Sequence, residues 1–169
     1  LLFCCCSGII LLCRPLMFMF KANFYDAWQF VPMLTLATLF NCFNQFLNSV
    51  YMVEKRSTLS LYTMLAGAIA NCALNWALIP LMGPNGATLA SLISYVIVFV
   101  LRAINTRGLM HMSFAPLRLT INCVLIGVET VLMLRQIPGW PVWCTLLTAV
   151  ICLFNLQGIL GMLRQLLRR

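Results

Sequence analysis

Long apolar runs alternate with short polar gaps along this chain, and the spacing of the gaps predicts its elements. A helix needs roughly 20 apolar residues to cross a bilayer. Six windows reach or approach that length: 1–20, 28–53, 59–80, 86–101, 119–134 and 142–163. Arg14-Pro15 suggests that the core of the first ends early, and the fifth is short. Between the windows lie residues that turn a chain. They are the polar and aromatic 21–27, the charged 54–58, the tight Met82-Gly83-Pro84-Asn85-Gly86, the long connection 102–118 with Pro116, and the Pro/Gly-rich 136–141. Trp140 and Trp143 fall where interfacial aromatics usually sit. The pattern predicts an all-α, multi-pass membrane protein with six transmembrane helices over residues 1–169. The chain opens on Leu1 inside an apolar run, without a charged leader or a cleavage site, so it is expected to begin within a longer protein.

Polar side chains inside such runs are costly in hydrocarbon and usually face a helix bundle or a water-filled cavity. The second window holds Thr35, Thr38, Asn41, Asn44, Gln45 and Asn48, which occupy about half the circumference at roughly 100° per residue. Four amides within 41–48 exceed what holding helices together requires, which points to a hydrated wall. The third window carries a narrower stripe of Ser60, Thr63, Gly67, Asn71 and Asn75, whose two amides suit either interhelical hydrogen bonding or a cavity. Gly86, Ala90 and Ser94 repeat every fourth residue in the fourth window, a small-residue surface that suits close helix packing better than ligand binding. Glu129 is the only acid well inside a window. Such a group is a functional candidate; the plainer reading is a side chain that reaches the interface or stays protonated.

Composition supports the membrane reading. Apolar residues make up 63% of the chain and charged ones 8%, with a mean hydropathy of +0.99. Soluble domains run at about 45–50% and about 25%. The net charge of +8 does not signal nucleic acid, because the eleven Lys and Arg sit almost entirely in the gaps. Eight of them (Lys55, Arg56, Arg102, Arg107, Arg118, Arg164, Arg168, Arg169) fall on one side of a six-span topology, and Arg14, Lys21 and Arg135 on the other. That asymmetry predicts both termini in the cytoplasm. The nine cysteines lie in apolar runs without CxxC spacing and read as small hydrophobes. His111 has no ligand-spaced partner. Neither a nucleophile–base pair nor a phosphate loop appears, so no enzyme activity, cofactor or metal is expected.

The stretch 70–91 resembles the signature "N…LN…LIP…G..GA" of bacterial polysaccharide repeat-unit flippases, through Asn71, Asn75, Ile79-Pro80, Gly83 and Gly86-Ala87. Phe24-Tyr25-Asp26-Ala27 is similar to the family's short outer loop, and 51–57, with Lys55, to its inner loop. The similarity covers about residues 1–115. These flippases share a superfamily with multidrug and toxin extrusion transporters. The resemblance implies one six-helix lobe, the C-terminal one, of a two-lobe transporter in the bacterial cytoplasmic membrane. It implies movement of undecaprenyl-diphosphate-linked oligosaccharide between leaflets, with the lipid, the glycan and an N-terminal lobe as partners. On that reading Asn41, Gln45, Asn48, Asn71, Asn75 and Glu129 are candidates for the substrate cavity, and Lys55, Arg56, Arg102 and Arg107 for diphosphate contact. A multidrug or metabolite exporter of the same superfamily is one rival, favoured by Glu129 and disfavoured by the amides. A membrane assembly subunit without transport is another.

Overall fold

The computed structural model describes residues 2–18, 27–107, 116–135 and 139–167, and among them every regular element is helical. Six helices run in order: α1 (Leu2–Phe18), α2 (Val31–Val53), α3 (Ser57–Met82), α4 (Pro84–Arg107), α5 (Pro116–Leu134) and α6 (Trp140–Leu167). Among the described residues three helices are long and apolar enough to cross a membrane: Ala27–Val53, Ser57–Met82 and Pro84–Thr106, with mean hydropathies of 1.3, 1.5 and 2.1. Leu2–Cys13 and Trp140–Leu156 are shorter apolar helical segments. The expectation of a membrane-compatible all-helical chain is met at this level. Several expected boundaries move by a few residues. Pro15 lies inside α1, which continues to Phe18, and α4 runs on past Leu101 to Arg107.

The helices form two compact units, Leu1–Pro32 with Ala115–Arg169, and Met33–Phe114. In the first, α1, α5 and α6 pack together around Ile10, Cys13, Ile126, Met133, Cys144 and Ile151. Their polar side chains bond to one another. Asn155 Nδ2 donates to Asn122 Oδ1 at 2.7 Å, and Asn122 Nδ2 donates to the Arg118 carbonyl at 2.8 Å. An amide left without a partner away from water is costly, and these two find theirs within the unit.

The second unit holds α2 from Met33, with α3 and α4. Its central feature is the α3–α4 hairpin. Gly83 sits at φ +59°, where a side chain would be strained. Pro84 opens α4, where its missing N–H costs nothing and its fixed φ suits the first turn. Beyond this turn the two helices meet at small residues. A Cβ on Gly86 would lie 2.3 Å from the Leu78 carbonyl oxygen, and one on Gly67 would lie 2.3 Å from Val98 Cγ2. Ala90 and Ser94 are buried along the same seam, in agreement with the packing reading of this stripe.

The seam makes a direct prediction. Gly86→Ala should lower stability by about 1–3 kcal/mol, since the added methyl meets backbone that cannot step aside. Gly127→Ala, with nothing within 4 Å of the new Cβ, should be neutral or stabilising by up to about 1 kcal/mol through helix propensity. Thermal unfolding midpoints of the purified variants in detergent check both.

Candidate functional site

The amide stripe of α2 lines a cavity. Asn41, Asn44, Gln45 and Asn48 recur at steps of one, three and four, so a single face of α2 presents all four. α3 contributes Met64, Gly67, Ala68, Asn71 and Cys72, and α4 contributes Ser91, Ser94, Tyr95, Val98 and Arg102. The cavity, open on one side, has a volume of about 410 Å³, within the range of small-molecule sites. All of these residues belong to the second unit.

At one end of the lining stands Arg102, only 4% exposed. An arginine side chain keeps its charge in proteins, so it brings a fixed cation into this apolar helix group. Its Nε donates to Thr63 Oγ1 at 3.0 Å, and Thr63 Oγ1 in turn donates to the Ser60 carbonyl at 3.0 Å. Nη1 donates to the Asn44 carbonyl at 2.6 Å. The guanidinium carbon lies 6.0 Å from the centre of the Tyr51 ring, and the Tyr51 hydroxyl donates to the Arg102 carbonyl at 3.4 Å. Every partner is neutral, and among the described residues no carboxylate pairs with it. The guanidinium has five N–H donors, of which these bonds use two.

The amides differ in how far they are engaged. Asn44 is 3% exposed; its Nδ2 donates to the Tyr95 carbonyl at 3.0 Å, while its Oδ1 has no partner. Asn71 Nδ2 donates to Ser94 Oγ at 3.0 Å. Asn71 Oδ1 accepts from Asn75 Nδ2 at 2.7 Å. Ser60 Oγ donates to Asn48 Oδ1. Asn41 and Gln45 make no hydrogen bond to the protein among the described residues, so their amides face the cavity free. A buried carbonyl oxygen without a donor carries a desolvation penalty of about 1–3 kcal/mol. A hydroxyl-bearing ligand or water reaching Asn44 Oδ1 would offset it.

The structure gathers part of the expected set. Asn41, Gln45, Asn48 and Asn71 line the cavity together. Asn75 does not; it lies one helical turn behind Asn71, supports it, and leaves its own Oδ1 unpartnered. Glu129 does not line the cavity either. It belongs to α5 in the first unit, fully buried beside Ser7 and Thr148. Lys55 and Arg56 are exposed at the α2–α3 turn and are not among the lining residues. Arg102, expected in a loop, is on α4 because the helix outlasts its apolar run. Arg107 closes α4, and its side chain lies outside the described residues, as do Lys21, Asp26 and His111. Thr106, within the expected connection 102–118, is fully buried on α4 and donates to the Arg102 carbonyl at 2.7 Å. Sequence reasoning left Asn44, Ser94 and Tyr95 off the candidate list. Asn44 shares the helical face of Asn41 and Asn48, which was the available signal.

Chemically, the lining offers paired donors and acceptors together with one fixed positive charge. Carboxamides match vicinal hydroxyls, and a guanidinium with free N–H groups matches an oxyanion. Phe40, Phe43 and Phe99 form an aromatic cluster of the same unit, with centroids 5.8–6.3 Å apart. Compared with known proteins, the chain matches no family model, no curated protein and no solved structure.

Accessibility tests the cavity. In a background lacking the native cysteines, Gln45→Cys and Asn71→Cys should react with small charged thiol reagents at least tenfold faster than Leu47→Cys, which is 1% exposed on the same helix as Gln45. Leu65→Cys, 53% exposed but off the lining, is expected to be slow where α3 faces lipid, as its length and apolar composition allow. Labelling rates in native membranes are the measurement.

Proposed function

We propose that this chain forms one six-span lobe of a transporter that moves polyprenyl-diphosphate-linked oligosaccharide across the bacterial cytoplasmic membrane, without bond chemistry. The observation that carries the reading is the α2–α4 cavity, with four carboxamides from α2 and the buried Arg102. Sugar hydroxyls need many donors and acceptors at short range, and an amide wall supplies both. A diphosphate needs compact positive charge, which Arg102 offers within the lining. The resemblance of 70–91 to the flippase signature points to the same substrate class. An apolar drug would be served better by a wall without amides, so the lining favours the polysaccharide reading over multidrug export.

In this reading α1, α5 and α6 also span, both termini are cytoplasmic, and the lobe rocks against a second one around a site at their interface. The orientation follows from the eight-to-three distribution of Lys and Arg. Cysteines placed at Ser57 and Asn85, both exposed helix-end positions, report it. Ser57→Cys should label with impermeant reagents only from the cytoplasm and Asn85→Cys only from outside. Outside labelling at position 57 would overturn the orientation.

Function is tested by changing the wall. Asn41, Gln45 and Asn48 replaced together by Leu should reduce surface polysaccharide at least tenfold while the protein remains inserted and abundant. Arg102→Gln should reduce translocation of a labelled lipid-linked sugar in vesicles, with Arg102→Lys intermediate because it keeps the charge and loses the fork. Normal export by the triple variant would contradict the proposal.

A further inference from the structure

Glu129 lies outside the cavity, and no part of the reading above uses it. Its side chain is fully buried on α5. α1 presents Ser7 to it, and Ser7 Oγ lies 2.6 Å from Oε2. α6 presents Thr148, whose Oγ1 lies 3.2 Å from Oε1, together with the Cys144 thiol. Among the described residues no cation faces it. An ionised carboxylate buried without a counter-charge is strongly disfavoured, and such groups settle by holding a proton.

Hydrogen counting points the same way. Four short oxygen–oxygen contacts connect the cluster. Two are Ser7 Oγ to Glu129 Oε2, and Ser7 Oγ to Thr148 Oγ1 at 2.9 Å. The others are Thr148 Oγ1 to Glu129 Oε1, and Thr148 Oγ1 to the Cys144 carbonyl at 2.9 Å. The two hydroxyls supply only two hydrogens between them. Ser7 can donate to Oε2 and Thr148 to the Cys144 carbonyl, which leaves two contacts without a hydrogen: Ser7 Oγ to Thr148 Oγ1, and Thr148 Oγ1 to Oε1, where two acceptors stand face to face. One further hydrogen on Oε1, donated to Thr148 Oγ1, fills that contact. The cluster therefore has a place for one more proton.

We propose that the Glu129 carboxyl binds an exchangeable proton, which it shares with the hydroxyls of Thr148 and Ser7 and which joins α1, α5 and α6 in one hydrogen-bonded cluster. Binding forms one O–H bond at Oε1, with the proton taken from water; release returns it to water or hydroxide and breaks the link from Oε1 to Thr148. The site is independent of the cavity and of the transport reading, and it stands or falls separately.

The composition makes the test clean, because the chain has only three acidic side chains, Asp26, Glu54 and Glu129. Infrared spectra of the purified protein in detergent at neutral pH should contain the carbonyl stretch of a protonated carboxylic acid. The band should shift on labelling with carbon-13 glutamate and not with labelled aspartate, a readout that needs no variant. It should vanish in Glu129→Gln, and Thr148→Val should move its frequency while Thr148→Ser restores it. Alkaline titration should remove it. The absence of any protonated-acid band in the folded protein would overturn the proposal. So would a band removed by sodium and retained in potassium at constant pH, which would make this a cation site.

Discussion

Arg102 is a cation that α4 carries into an apolar helix group with no acid beside it among the described residues, and the second unit is arranged around that constraint. A buried charge must be solvated by something, and here the solvent is the protein itself. Thr63 from α3, the Asn44 carbonyl from α2 and the Tyr51 ring from α2 surround the guanidinium. Hydrogen bonds to a charged group contribute about 1.5–3 kcal/mol each. Those bonds draw one face of α2 towards α3 and α4, and the same face carries the amides. Three of the five N–H donors have no partner among the described residues and remain available beside the cavity.

The α3–α4 seam complements this centre. Gly67, Gly86 and Ala90 let two backbones approach so closely that a methyl group at either glycine would collide. Close approach in turn brings Ser94 within reach of Asn71, which also accepts from Asn75 one turn along α3. The hydroxyls of Thr38, Ser49, Thr88 and Ser91 donate to carbonyls three or four residues back on their own helices. Polar atoms are thereby retired locally along most of the unit. Asn41, Gln45 and Asn44 Oδ1 remain free where the cavity opens. Their clustering distinguishes a site from ordinary interhelical bonding.

Much of the architecture was legible in the sequence because hydropathy and turn chemistry act locally. The Gly83-Pro84 turn and the small-residue stripe of α4 could be read directly, and so could the amide face of α2. The place of Arg102, buried on α4 rather than in a loop, could not, because a hydropathy window ends where a charge appears, whereas the helix continues on backbone hydrogen bonds to Arg107. Asn75 and Glu129 looked like cavity residues on polarity alone. Their partners are set by packing that no periodicity encodes: one supports Asn71 from the turn behind, and the other belongs to a different helix group. The signature residues Asn71, Asn75 and Gly86 thus have structural work in this fold, whatever ligand the cavity takes.

The central claim is that the guanidinium of Arg102 ties α2 to the α3–α4 pair. Spin-label distance distributions test it most directly, with labels at the exposed positions Met52 on α2, Tyr62 on α3 and Ile104 on α4. Narrow distributions are expected for both 52–104 and 62–104 in the parent protein. In Arg102→Leu, the 52–104 distribution should broaden and lengthen while 62–104, held by the small-residue seam, stays unchanged. An unchanged 52–104 distribution in that variant would contradict the account.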